Sequence, residues 1–318
     1  VVHEALPSDA AMATPNRSAH LAVLTANLIY GANYSIAKKV MPEFVEAFGF
    51  IFIRVLVTAA IFFVIGSMIS HRKVERADLP RFFMCAVFGV ALNQLLFFKG
   101  LDLTTPINAS LMMTTNPIMV LLAASLLIRE KITMRKIAGI ITGISGALLL
   151  LVWGKQISFS SDGAAGDFMV LINSLSFGIF MIIVKPLMQK YDTLTVMKWV
   201  FLFGALLVTP FGWSEFKAVK WETFHTETWW ALTYVVIGTT SVAYLLNTYA
   251  LKTLSPSAVS IYIYLQPLFA TFFAIALGKD TLQVTHFVAA LLIFAGVYLV
   301  TAPNRKENTG RWWSEKKN

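Results

Sequence analysis

Residues 101–131 read LDLTTPINASLMMTTNPIMVLLAASLLIREK, and residues 251–281 read LKTLSPSAVSIYIYLQPLFATFFAIALGKDT. The two align without a gap, which sets Pro106 on Pro256, Ser110 on Ser260, Pro117 on Pro267 and Glu130 on Asp280; further on, Gly146 falls on Gly296. A solenoid repeats several times at a short period, whereas a single repeat of half the chain's length indicates two fused, related halves.

The composition says which solvent those halves were built for. Of 318 residues, 57% are hydrophobic and 14% charged, against about 25% charged in soluble domains. This is the composition of a membrane protein. Cys85 is the sole cysteine, so no intramolecular disulfide forms. The formal charge of +9 is not gathered in one patch; the basic residues sit between apolar runs, which points to membrane topology and away from nucleic acid. Residues 1–18 hold no apolar stretch like a signal peptide and read as a cytoplasmic tail. Met12 stands just before ATPNRSAH and the first apolar run, so residues 1–11 read as an upstream extension of the gene start.

A bilayer core of ~30 Å takes about 20 helical residues. Runs of that length lie near 19–38, 47–69, 80–98, 107–128, 135–153, 167–187, 194–212, 228–249, 257–278 and 283–302, ten in all. With the N-terminus inside, Arg17, Arg72, Lys73, Arg76, Arg81, Arg129, Lys131, Arg135, Lys136, Lys185, Lys190, Lys198, Lys252, Arg305, Lys306, Arg311, Lys316 and Lys317 are cytoplasmic, 18 of 26 basic residues. The positive-inside rule then places both termini in the cytoplasm of a plasma membrane, the bacterial inner membrane. Five spans are an odd number, so the duplicate enters from the opposite side. The expected fold is all-α and integral to the membrane, with ten transmembrane helices in two inverted five-helix repeats, the plan of many secondary transporters. Its parts are a tail at 1–18, a first repeat at 19–153, a linker at 154–166, a second repeat at 167–302 and a basic cytoplasmic tail at 303–318.

YGANYSIAKKVMPEFVEAFGFIFIR, residues 30–54, with Gly31, Lys38 and Arg54, resembles the opening of the drug/metabolite transporter superfamily. The stretches ending LLIREKIT and ALGKDTLQ resemble its paired EamA-type repeats. The resemblance implies ten helices in a five-plus-five inverted arrangement, a central cavity, and transport of small organic solutes such as amino acids, other metabolites or drugs. Members often carry Gly-Glu after the fourth and ninth spans, where this chain has Arg129-Glu130 and Lys279-Asp280.

Polar groups inside a span cost several kcal/mol when unpaired, so their depth marks candidates for a site. Asn27 and Tyr30 fall near the midplane of the first span, with Asn33 and Tyr34 toward its outer side. Arg54, Asn93, Gln94, Asn173 and Ser174 fall in the outer halves of spans 2, 3 and 6, and Asn116 and Gln266 lie at the midplane, each just before its repeat's proline. Asn27, Tyr30 and Tyr34 share one helical face, as do Tyr262 and Gln266, while Tyr244 and Asn247 occupy the inner half of span 8. These fourteen are the candidate substrate contacts, with helix-to-helix hydrogen bonding as the alternative role. Arg54 offers a bidentate partner for a carboxylate or phosphate, or a structural link to helix ends or to Glu43 or Glu46. Lys38, Lys99 and Lys185, near span ends, are expected to snorkel to the interface. Pro117 and Pro267 interrupt their helices at mid-depth, as hinges or as fixed kinks. Gly139, Gly143 and Gly146 favour close helix packing within the monomer, with dimerisation left open.

No acidic residue falls deep inside a span, the five histidines are scattered, and no Walker A, nucleophile elbow or HExxH stretch occurs. No metal, cofactor or catalytic residue is expected; the partners are a small-molecule substrate and the lipid bilayer. The expected function is secondary transport of an amino acid or related metabolite, outward, by alternating access. A nucleotide-sugar or sugar-phosphate carrier, a drug exporter, a channel and a membrane-embedded enzyme are the alternatives.

Overall fold

A computed structural model of the chain describes residues 9–37, 39–41, 43–69, 73–104, 106–152, 163–276 and 283–302. The described residues form ten helices. They are α1 (Asp9–Ala37), α2 (Ala47–Ile69), α3 (Arg76–Leu103), α4 (Pro106–Met113 and Asn116–Ile128), α5 (Met134–Val152), α6 (Ala164–Lys190), α7 (Thr193–Ala218), α8 (Thr226–Ala250), α9 (Pro256–Ser260, a 3-10 turn Ile261–Tyr264, then Leu265–Ala276) and α10 (Val284–Thr301). Eight are long and apolar enough to cross a membrane unaided. The other two, α1 and α9, are the helices diluted by Asn27, Tyr30 and Asn33 and broken at mid-length, respectively.

The helices overrun their apolar stretches. α6 has 27 residues and α7 has 26, or ~40 Å at 1.5 Å per residue, enough to reach both headgroup layers. α1 begins at Asp9, so the later part of the expected tail is helical, while residues 1–8, 153–162 and 303–318 lie outside the described residues. Leu126, Met134 and Leu291 are 83%, 82% and 71% exposed; apolar side chains so uncovered form a belt that lipid, not water, covers.

Local signals set the ends. Asp192 caps α7 by accepting the Thr195 N–H at 2.9 Å, and Ser255 caps α9 by accepting that of Ala258 at 3.1 Å. α4 ends at Arg129, whose φ of 54° is left-handed and whose N–H returns to the Ala124 carbonyl. Glycine adopts that conformation without penalty. Arg129 is the one non-glycine residue with positive φ among those described. Lys279 and Asp280, the matching pair of the second half, lie outside the described residues.

The packing follows the duplication. α2 packs on α7 and α5 on α10, and α4 meets α9, each pair joining corresponding helices of the two halves. The remaining main contacts come in matched sets: α3 with α6 and α8 with α1, α4 with α6 and α9 with α1, α3 with α7 and α8 with α2. Exchanging the halves therefore carries these contacts onto one another, whereas α9 also packs on α5 with no comparable α4–α10 contact among the described residues. Corresponding helices run antiparallel: Gly49 of α2 lies by Glu215 of α7 while Gly66 lies by Lys198, and Gly139 of α5 lies by Val300 of α10 while Gly146 lies by Ala289. Aromatic pairs fill the α2–α7 seam, with Phe62 on Phe201 at 5.3 Å and Phe52 on Phe216 at 5.2 Å between ring centres. The α5 glycines serve packing inside the chain: a Cβ on Gly296 would stand 2.7 Å from the Gly139 carbonyl and from Gly143 backbone atoms.

Because those neighbours are backbone, Gly296→Val is expected to cost at least the ~3 kcal/mol at the upper end of ordinary overpacking. Thermal unfolding of the purified protein checks this, and an unchanged midpoint would mean that α5 and α10 are not this close. Arg129→Gly is expected to stabilise by about 1 kcal/mol, the scale of left-handed strain, seen as a raised midpoint in the same experiment.

Candidate functional site

The breaks in the helices define the centre. A proline has no N–H to give and its ring clashes with the carbonyl four residues back, so α4 stops at Met113 and restarts at Asn116, placing Pro117 in the first turn of the new segment. Side chains brace the turn between the two segments: Thr114 Oγ1 donates to the Leu111 carbonyl and Thr115 Oγ1 to that of Met112, both at 2.6 Å, beside the backbone N–H bonds that these carbonyls already accept. In α9 the 3-10 turn occupies the corresponding place just before Gln266 and Pro267. α3 and α8, also corresponding helices, each relax into π-helical turns, at Val87–Ala91 and Tyr234–Val242. The freed Phe88 carbonyl accepts from Ser176 Oγ at 2.7 Å.

Between these breaks lies a cavity with about 120 Å³ open to the centre of a water molecule, room for several waters. Eleven of the fourteen expected contacts line it: Asn27, Tyr30, Asn33, Arg54, Asn93, Gln94, Asn116, Asn173, Tyr244, Asn247 and Gln266. They come from seven helices, and most tie two helices together as well as facing the cavity. Gln266 Nε2 donates to Asn27 Oδ1 at 2.9 Å, joining α9 to α1, and Asn27 Nδ2 donates to the Val23 carbonyl at 2.8 Å. Asn93 Nδ2 donates to Asn173 Oδ1 at 2.7 Å, joining α3 to α6. The Tyr244 hydroxyl of α8 lies 2.9 Å from Asn93 Oδ1 and 3.1 Å from the Gly89 carbonyl, either of which can take its one proton. Asn116 Nδ2 donates to the Ser174 carbonyl at 3.3 Å. Cavity lining and helix bonding, alternatives in the sequence, are thus two ends of the same side chains.

Arg54 is 4% exposed and stands at the cavity wall. Its Nε donates to Thr240 Oγ1 at 2.9 Å, and Thr240 Oγ1 donates in turn to the Val235 carbonyl five residues back, a partner that the π winding supplies. The guanidinium carbon lies 4.5 Å from the centre of the Phe98 ring and 5.4 Å from that of Phe50. Neither Glu43 nor Glu46 forms an ion pair with it among the described residues. Arg54 Nη1, Asn33 Oδ1 and Asn116 Oδ1 are buried without a hydrogen-bond partner.

Three expected contacts are not in the lining. Ser174 is fully buried and serves through its carbonyl. Tyr262 points elsewhere: its hydroxyl lies 2.6 Å from His20 Nδ1, tying α9 to the start of α1. The shared face expected of Tyr262 and Gln266 fails because a 3-10 turn advances ~120° per residue, where an α-helix advances ~100°. The Tyr34 side chain lies outside the described residues. Lys185 Nζ donates to the Leu254 carbonyl at 3.0 Å, in the turn between α8 and α9, and Lys99 pairs with Asp102 at 2.8 Å; Lys38 lies outside the described residues. Phe97, Phe98, Met113, Phe177, Val259 and Ile263 complete the wall, together with Thr239 and Ser260. Apolar residues in apolar spans stand out from nothing, which is why the sequence did not mark them.

A wider groove of about 1210 Å³ runs beside α1, lined by Leu21, Leu194, Leu245 and Tyr249 among others. Of its two basic residues, Lys190 is already held by Glu75 at 2.6 Å and Asp78 at 2.7 Å, and Lys252 Nζ stands 5.8 Å from the centre of the Tyr249 ring. The central cavity, with its unpartnered polar atoms, is therefore the candidate site.

Comparison with known proteins agrees with this architecture. An uncharacterized transporter of Archaeoglobus fulgidus is 27% identical over 288 residues, covering 90% of this chain and 98% of the relative. The uncharacterized inner membrane transporter YicL of Salmonella typhimurium is 23% identical, covering 91% of this chain and 97% of the relative. A protein of known crystal structure superposes with a TM-score of 0.71 at 17% identity, over 89% of this chain and 96% of that one, a likeness of fold alone. The profile of the EamA-like transporter family matches twice, at residues 17–152 and 164–302, once for each half. The chain is an integral membrane protein and belongs to the EamA-like transporter family.

Proposed function

We propose that this protein is a secondary transporter that carries a small organic solute, an amino acid or related metabolite, out of the cell by alternating access. The observation that carries the reading is the central cavity, walled by both halves and lined by polar groups whose hydrogen bonds are incomplete. Groups left unpaired in a low-dielectric interior hold a partner in place of water.

Two further features support it. Corresponding helices pack antiparallel across the halves, as inverted repeats exchanging conformations require. Matched ties also close the bundle at both ends. Asp167 at the start of α6 accepts from Thr104 Oγ1 at 2.6 Å, while at the start of α1 His20 meets Tyr262 and Ser18 lies 3.2 Å from the Tyr249 hydroxyl. With both termini cytoplasmic, the first tie is on the outer side and the second on the inner, and breaking one while keeping the other opens the cavity to one side at a time. The breaks before Pro117 and Pro267 are the hinges in this scheme, since each replaces helix with fewer regular hydrogen bonds.

The test is metabolite profiling of medium and cytosol in cells expressing the intact chain or equally expressed Asn116→Ala/Gln266→Ala protein. A solute enriched outside only with the intact chain is expected; enrichment inside reverses the direction, and a new chemical product would identify an enzyme. Once a solute is in hand, Pro117→Ala/Pro267→Ala is expected to slow its counterflow in proteoliposomes at least tenfold, and an unchanged rate removes the hinges from the mechanism. A reporter fused after Asn318 that is active only in the cytoplasm is expected to be active, which checks the orientation.

A further inference from the structure

We propose that the solute is a net monoanion, an amphipathic monocarboxylate whose carboxylate pairs with Arg54, and that Arg54 is the residue that sets substrate charge. The inference rests on the transport reading for the use of the cavity, but its test reads binding and can fail separately.

The argument is one of charge and partners. Arg54 is the one ionised side chain in the cavity wall among the described residues, and no carboxylate lines the cavity. A guanidinium is always charged and carries five N–H donors in a flat fork. Here one donor, Nε, has the neutral hydroxyl of Thr240, and Nη1 has no partner. The rings of Phe98 and Phe50 offset part of the charge, less than a buried ion requires. A carboxylate meets the fork with two parallel hydrogen bonds and brings the site to zero net charge.

The count also separates classes of anion. A phosphate ester, at about two negative charges, leaves one uncompensated against a single arginine, and a zwitterionic amino acid leaves the arginine's own charge standing. Among solutes related to amino acids, hydroxy, keto and N-acyl acids therefore fit better than the free amino acid. Phe97, Phe177 and Ile263 provide an apolar surface for the body of such a molecule. The unpartnered Asn33 Oδ1 and Asn116 Oδ1 accept one or two hydrogen bonds from a hydroxyl or N–H.

The experiment is ligand-dependent thermal stability of the purified full chain, using matched pairs that differ only in the head group: 3-phenylpropanoate and its amide, hexanoate and its amide, 4-hydroxybenzoate and its amide. Phenylalanine, phenethylamine and phenyl phosphate complete the set. In at least one pair the carboxylate is expected to half-saturate at a concentration at least tenfold below its amide, and below phenylalanine and phenyl phosphate. Arg54→Gln is expected to abolish the preference and Arg54→Lys to keep part of it. Equal stabilisation by acid and amide in all three pairs, no stabilisation by any acid, or tighter binding of phenylalanine or phenyl phosphate overturns the proposal. If Arg54→Gln does not fold, the wild-type pairs and Arg54→Lys still decide it. Counterflow of the best acid in proteoliposomes separates the two readings: binding without counterflow retires transport and keeps the charge assignment, while counterflow without acid preference does the reverse.

Discussion

A backbone carbonyl or amide without a partner in hydrocarbon costs several kcal/mol, and this protein breaks its helices in the middle of the bundle all the same. How those breaks are satisfied organises the rest. In α4 the threonines at 114 and 115 turn back onto the Leu111 and Met112 carbonyls and brace the turn that precedes Pro117. In α3 the π turn exposes the Phe88 and Gly89 carbonyls, which meet Ser176 of α6 and Tyr244 of α8. Satisfying a break in one helix with a side chain from another ties the broken helices to a common centre. The cavity is the space that irregular winding leaves between them, and its polar lining is the set of groups recruited to make that winding tolerable.

The duplication provides a frame that the side chains then depart from. Most of the main packing partners are interchangeable between halves, and π turns fall at matched places in α3 and α8. The residues in matched places differ in chemistry: Asn116-Pro117 against Gln266-Pro267, and an aspartate tie at the start of α6 against a histidine tie at the start of α1. Arg54 stands in one half only, gripped through the π winding of α8. A two-fold frame suits motion between equivalent states, while an asymmetric lining suits a solute with two unlike ends.

The membrane class, the helical runs and the two related halves were legible because they depend on one-dimensional properties. Hydropathy over ~20 residues reports on solvent, and a gapless self-alignment reports on duplication. Position along each span was legible too, since ~1.5 Å per residue makes it a matter of counting, and Asn27, Asn116 and Gln266, chosen that way, line the cavity. Helix ends were less so, because α6 and α7 continue into the headgroup layer where composition no longer distinguishes them from loops.

Taken by itself, then, the sequence determined the solvent, the succession of helices, their pairing into halves and the place of each polar group along its helix. Only the tertiary structure decided which of those groups meet. Rotation about a helix axis sets what a side chain faces, and rotation depends on local winding that no hydropathy pattern records: a single 3-10 turn carries Tyr262 from the cavity to His20, and π turns bring Thr240 to Arg54. The apolar part of the wall, Phe97, Met113 and Ile263 among it, was likewise decided only by packing, since in a membrane protein an apolar side chain is equally at home against lipid, against a neighbouring helix or against a solute.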